Sequence, residues 1–323
     1  KYQEVHGTPL RARLFGNIAR LSRIGQAVAP LTNLIGALPI TRRLNERLLG
    51  ISRHRPLPRF AMRRFSTWHK SRTAATSAPR GDLVLFHDTF TEYMHPEVGQ
   101  AATRVLEALG YRVRLVERKT CCGRPLISKG QLGMAKEWAR INIDALLPYA
   151  DAGTLIVGTE PSCLLTLRDE YPDLLPGEAA RTVAGQAVML DELIDILAEE
   201  EPDAFKDIFR KHLMAPIQVH GHCHQKAIVG TGPTMRALEL AGFTAELIDS
   251  PCCGMAGTFG FEAEHYQTSK EIGEFKLFPA IEAGDKKDWS VAISGISCRQ
   301  QIDHFTTKRP RHVVEYLADA LRG

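Results

Sequence analysis

Leu238-Glu-Leu-Ala-Gly-Phe-Thr-Ala-Glu-Leu-Ile-Asp-Ser-Pro-Cys-Cys-Gly254 holds, in order, a helix end, a glycine stop, a short strand and two adjacent cysteines followed by glycine. Leu106-Glu-Ala-Leu-Gly-Tyr-Arg-Val-Arg-Leu-Val-Glu-Arg-Lys-Thr-Cys-Cys-Gly123 passes through the same features in the same order. A match of this kind marks a duplicated unit. Helix followed by strand, repeated, means parallel pairing with right-handed crossovers, and such sheets carry their chemistry at the carboxyl ends of strands.

Outward from these stretches, the first half reads as a strand over 83–86 leading to His87-Asp88, then a helix from Pro96 to the stop at Gly110. A strand over 111–116 then delivers Cys121-Cys122-Gly123. A helix over 132–147 and a strand over 154–158 follow, ending on Glu160-Pro-Ser-Cys163. The second half repeats this, with strands over 216–220, 243–248 and 291–295 leading to His222-Cys223-His224, Cys252-Cys253-Gly254 and Ser297-Cys298. The expected fold is α/β: two homologous parallel-sheet lobes, 81–200 and 201–323, each with a Cys-Cys-Gly motif, preceded by a basic helical segment over 1–80.

All seven cysteines fall in this repeat: Cys121, Cys122 and Cys163, then Cys223, Cys252, Cys253 and Cys298. Neighbouring residues have Cα atoms about 3.8 Å apart, too close for an ordinary disulfide. Vicinal thiolates suit zinc or an iron–sulfur cluster instead, and a following glycine lets the backbone run close to a bulky inorganic core. Single buried cysteines often act as small hydrophobes, but seven in register do not fit that reading. Asp88 stands where the first lobe lacks its early cysteine, as a ligand or as a helix cap. His220, His222 and His224 are expected around the ligands, bonded to thiolates or carbonyls; His87 or His222 could complete a tetrahedral site on the three first-lobe thiolates, and Glu160 is read as a solvated strand-end residue beside it.

The composition, 24% charged and 44% hydrophobic, is that of a globular protein. The odd cysteine count and the vicinal pairs lead to the expectation of a reducing, cytoplasmic setting. Residues 1–80 hold 16 Lys and Arg against Glu4 and Glu46, a net +14, while the remaining 25 basic and 35 acidic residues give −10. This basic segment reads as short helices broken by Pro9, Pro30, Pro39, Pro56 and Pro58, with Leu and Ile at helical spacing between the arginines. It is expected to dock on acidic protein surface, burying Leu14, Ile18, Leu21 and Ile24. Contact with an anionic membrane surface is the alternative, and no nucleic-acid partner is expected because no nucleic-acid-binding signature is present. A Ser/Thr/Ala/Pro-rich linker over 71–80 closes the segment. No G-x-G-x-x-G follows any strand, so no flavin site is expected in this chain.

These residues resemble the cysteine-rich "CCG" domain family, found in the B-type subunit of heterodisulfide reductase, over about 81–318. The basic segment, with Gly7-Thr-Pro-Leu-Arg-Ala-Arg-Leu-Phe-Gly16, resembles the connector after the ferredoxin-like module of FAD-linked iron–sulfur D-2-hydroxy acid dehydrogenases. The resemblance implies the carboxyl-terminal electron-transfer module of such an enzyme, with FAD and ferredoxin-like domains outside this chain and an unassigned acceptor. A full family motif has an early cysteine, the vicinal pair and a late Cys-x-x-Cys. Here Gly295 replaces one cysteine of the second lobe, leaving Cys223, Cys252, Cys253 and Cys298 for one [4Fe–4S] cluster. Asp88 and Glu160 replace two in the first lobe, which leaves Cys121, Cys122 and Cys163 for zinc or iron. A heterodisulfide reductase-like thiol/disulfide module, or a redox-silent docking domain stapled by zinc, are the alternatives.

Overall fold

The computed structural model describes residues 5–73, 77–210 and 214–322. Two four-stranded, all-parallel sheets form the centre of the molecule. The first contains β1 (Asp82–Leu85), β2 (Arg112–Arg114), β3 (Ile156–Gly158) and β4 (Ala187–Met189) in the order β2-β1-β3-β4. The second contains β5 (Met214–His220), β6 (Phe243–Leu247), β7 (Ser290–Ile293) and β8 (Arg311–His312) in the order β6-β5-β7-β8. The orders correspond strand for strand, so the fold is the duplicated α/β architecture expected.

Helices cover the sheets, which is why successive residues such as Leu83, Val84 and Leu85 of β1 and Val291, Ala292 and Ile293 of β7 are all buried rather than alternating. Helix Pro96–Ala108 buries Val98, Ala101, Ala102, Val105 and Leu106, and the chain turns at Gly110 with φ 92°. One hydrophobic cluster crosses between the lobes, joining Leu83, Leu85, Val105 and Leu106 to Ile217, Val219, Leu238, Val314 and Leu317. Each such side chain contributes about 1.5–3 kcal/mol by leaving water, so the lobes are held to each other by a core, not by a hinge.

In the basic segment, helices Leu10–Gly16, Ile18–Ala27, Ala29–Ala37 and Pro39–Leu49 follow one another closely, and Phe65–Ser71 comes later. Pro30 and Pro39 sit in first turns, where no backbone N–H is needed, so they start helices rather than break them. The segment does lie on the lobes. Phe15 is buried with Cys253 and Cys298, Arg20 stacks over Trp138, and Arg11 pairs with Glu262 and Glu264. The face that does so is not the one expected. Ser22, Gly25, Gln26 and Ala29 are buried, Leu14 and Ile18 are half-buried, and Leu21 and Ile24 point outward, Ile24 with 68% of its surface exposed. Of the expected linker, residues 74–76 lie outside the described residues. Among the described residues, no helix is long and apolar enough to cross a membrane.

Candidate metal centre

In the second lobe, three strand ends of one sheet supply the sulfurs. β5 ends at His220 and passes through Gly221 to His222, which caps helix Cys223–Ile228; β6 hands the chain to Cys252-Cys253-Gly254; and β7 leads to helix Ile296–Phe305 with Cys298 in its first turn. The thiols adjoin in the order Cys223, Cys252, Cys253, Cys298. Gly254 N donates to Cys252 Sγ at 3.3 Å. A ring nitrogen of His220 and the sulfurs of Cys253 and Cys298 lie within 4.8 Å of one another. His220 is buried, and neither of its ring nitrogens has a hydrogen-bond partner among the described residues.

The first lobe repeats the placement with fewer sulfurs. Cys121 and Cys122 follow β2, Cys163 lies in the first turn of helix Pro161–Arg168, and all three are buried with the thiol of Cys122 between the other two. The carbonyls of the vicinal pair are clamped: Asn142 Nδ2 donates to Cys121 O at 3.0 Å and Tyr171 Oη to Cys122 O at 2.9 Å. Asp88 approaches Cys163 electrostatically, but its Oδ1 caps helix Thr89–Tyr93 through Phe90 N and Thr91 N, and its Oδ2 accepts from Thr91 Oγ1. Its lone pairs are engaged in local structure. Glu160 is buried rather than solvated, accepting from Ile296 N of the other lobe at 2.8 Å and from Ser162 N at 3.4 Å.

The histidines divide. His222 uses both ring nitrogens within the protein, Nδ1 accepting from His224 N at 3.2 Å and Nε2 meeting Ser162 Oγ at 3.2 Å across the lobes. His224 stands at the cavity wall with burial holding it at about 4, well below the usual imidazole value. The structure does not bring His87 to the sulfurs; it lies against Phe65, with Nε2 3.6 Å from Glu92.

Both sets open on one cavity of about 360 Å³ between the lobes, lined by Cys121, Cys163, Cys223, Cys252, Cys253 and Cys298. Phe15, Ile18, Leu57 and Pro58 of the basic segment form part of its wall. The glycines after the pairs have φ of 87° and 92°, a left-handed conformation that other residues rarely adopt. At Gly254 the space is needed too, since an added Cβ would meet Ser269 O at 2.2 Å. The crowding comes from a neighbouring helix, not from the cavity side as expected from sequence.

Protonation separates the two sets. Hydrogen bonding from Cys223 and then Cys253 holds the Cys252 thiol far below its usual range, and hydrogen bonding from Cys253, aided by nearby His220, lowers Cys298, while the same bonds raise Cys223 and Cys253. In the first lobe, bonding to Cys122 and burial push Cys121 up. Bonding from Cys121 pulls Cys122 down, but Cys163 and burial outweigh it. Bonding from Cys122 pulls Cys163 down, yet burial and the charges of Asp88 and Glu160 take it to about 12. Because the thiolate is the nucleophile, half-exposed Cys252 of the reduced, metal-free chain is expected to be the first alkylated by iodoacetamide at about pH 6. Peptide mass mapping checks this, and labelling of Cys121, Cys122 or Cys163 ahead of Cys252 would overturn the assigned protonation.

Sequence reasoning placed His220 among second-lobe histidines without distinguishing it. The only signal was a polar residue ending an otherwise buried strand.

Comparison with known proteins adds a family context. The cysteine-rich domain family CCG matches residues 84–168, the lobe with fewer cysteines. The chain is 30% identical over 317 residues to the subunit designated C of anaerobic glycerol-3-phosphate dehydrogenase from Escherichia coli (strain K12), covering 97% of this chain and 77% of that protein. It is 32% identical over 237 residues to D-2-hydroxyglutarate dehydrogenase of Pseudomonas putida, covering 73% of this chain and 22% of the relative. Lactate utilization protein A of Geobacillus kaustophilus is 32% identical over 189 residues, 55% of this chain and 73% of that one.

Proposed function

This chain belongs to the family of that anaerobic glycerol-3-phosphate dehydrogenase subunit, and from that premise we propose that it is the electron-transfer module of a flavin-dependent dehydrogenase, holding a thiolate-ligated iron–sulfur centre in its second lobe. The observation that carries this reading is the convergence of Cys223, Cys252, Cys253 and Cys298 from three strand ends beside one cavity. Four sulfurs with two already held as thiolates fit a soft, cationic inorganic centre, and burial of Cys253 and Cys298 keeps water from two of the ligands. When bound there, a [4Fe–4S] cluster supplies one-electron storage. The protein's part is to fix the sulfurs, exclude solvent through Phe15, Ile18 and Phe261, and surround the centre with donors.

The first lobe, with three protonated thiols and a committed Asp88, is the weaker site, suited to zinc or to iron with a non-protein fourth ligand. FAD would be held by another domain. The substrates in the names of two relatives, glycerol-3-phosphate and D-2-hydroxyglutarate, are both secondary alcohols on small anions, and the proposed substrate class is the same, with a D-2-hydroxy acid preferred. The outward row Leu21, Ile24, Leu31, Leu34 and Ile40 is the proposed docking face for the flavin- or ferredoxin-bearing domain. Exposed apolar side chains in this number suit an interaction surface, and the stretch matched in the Pseudomonas relative is only 22% of that longer protein.

Anaerobic purification with iron, zinc and acid-labile sulfide analysis tests the centre. A brown protein with about four irons and four sulfides per chain is expected. A colourless, zinc-only protein would replace this reading with the redox-silent docking domain.

A further inference from the structure

Arg55 stands apart from the cysteines in sequence and behind them in space. The segment that carries it is fastened to the second lobe by the Ile51–Glu262 bridge and by Ser52 N donating to Phe261 O at 2.8 Å. The guanidinium is only 2% exposed. Nη2 donates to Gln301 Oε1 at 2.8 Å and Ser269 Oγ at 3.4 Å, while Nε and Nη1 have no hydrogen-bond partner among the described residues. The rings of Phe261, Tyr266 and Phe305 stand 5.8, 5.8 and 5.0 Å from it.

A buried cation is costly without an opposing charge. The groups that favour the charge of Arg55 electrostatically are Tyr266 and Cys253, and burial still brings the guanidinium down to about 10. A phenol is neutral near pH 7, and bonding to Cys252 and Cys298 together with burial raises the Cys253 thiol as well, so the opposing charge is one that metal binding, by stripping protons from the thiols, would supply. The connection is short: Gln301 lies one turn beyond Cys298, its Nε2 donates to Ser269 O at 2.8 Å, and this pair backs directly on Gly254. The first lobe has a comparable cation within its own loop. Lys119, two residues before Cys121, donates to His87 O at 2.6 Å and interacts with Asp88, Cys121 and Cys163. The matching position before Cys252 is Ser250, whose carbonyl accepts from half-buried Lys226, so the loop itself carries no cation and Arg55 is the buried one behind the sulfurs.

We propose that Arg55 is the counter-charge of the second thiolate centre, a positioning residue that offsets the negative charge collected on Cys252, Cys253 and Cys298 when metal binds. This rests on reading those cysteines as a metal centre. It assigns to the basic segment a role beyond docking: the segment completes the electrostatics of the site. Each electron added to the centre adds negative charge, so a neighbouring fixed cation raises its potential.

The chain of 323 residues is titrated anaerobically with Co²⁺, followed by thiolate-to-cobalt absorption, in wild type, Arg55→Met, Arg55→Gln, Arg55→Lys and Cys253→Ser forms. Iron- and sulfide-reconstituted samples give midpoint potentials. The neutral variants are expected to bind Co²⁺ at the second site at least about tenfold more weakly, the scale of one pKa unit of lost charge interaction, and to have a more negative potential. Arg55→Lys keeps the charge and is expected to remain close to wild type. Neutral variants equal to wild type would overturn the role of Arg55 while leaving the centre standing. So would a lysine variant as weak as the neutral ones, a comparison that survives if Arg55→Met fails to fold. Wild type and Cys253→Ser titrating alike would remove the centre itself, and the proposal with it.

Discussion

Cys253→Ser is expected to lose most of the tightly held metal, at least twice as much per chain as Cys122→Ser. Metal must displace protons from its thiols. In the second lobe, hydrogen bonding already lowers Cys252 and Cys298, with Cys223 and Cys253 raised, whereas in the first lobe all three thiols are raised and Cys163 stands at about 12. The first lobe also lacks a fourth sulfur, and both oxygens of its nearest carboxylate, Asp88, accept local hydrogen bonds. Cys253 adjoins Cys252 and Cys298 and lies near His220, so serine there interrupts the set at its middle. Metal analysis of proteins purified side by side makes the comparison. Equal losses from the two variants would reject the ranking of the sites.

The second large effect concerns Glu160, whose carboxylate sits between the lobes. Burial, followed by the nearby charge of Asp88, pushes its pKa from 4.5 to about 8, against the lowering effect of the bond from Ile296 N. Between those values the folded chain binds more protons than the unfolded one, so this group's contribution to stability falls as pH rises from about 4.5 to 8 and is constant above. Glu160→Gln keeps an oxygen for Ile296 N and cannot ionise. The metal-free variant is expected to be more stable than wild type by about 2–4 kcal/mol at pH 9, with little difference at pH 4.5. Urea unfolding at both values measures it. A constant difference across this range would show that Glu160 does not change its charge there.

The duplicated lobes were legible because their repeat joins three signals: apolar strands, glycine stops and paired cysteines. β4 and β8 were not, because Ala187-Val-Met189 merges with the apolar start of helix Leu190–Glu200 and Arg311-His312 is only one pair of residues. The basic segment was read on the wrong face for a physical reason. Periodicity counts Leu and Ile as inward, but these helices approach the protein through small residues; a Cβ on Gly25 would meet the Phe60 ring at 2.5 Å. At the site, the cysteines announced themselves. Arg55 did not, because nothing in Ser52-Arg-His-Arg-Pro56 separates it from its neighbours, and only the tertiary structure buries it among three rings.

A core that runs through both lobes relieves the sulfurs of any duty to hold the chain together. Leu106, Leu238, Val314 and their neighbours give each sheet its packing from the other half of the molecule. One lobe can therefore carry fewer ligands than the other without unravelling. Asp88 and Glu160 of the lobe with fewer sulfurs serve instead as helix caps, Glu160 also bonded across to the other lobe, so that this half helps to seat the half with four.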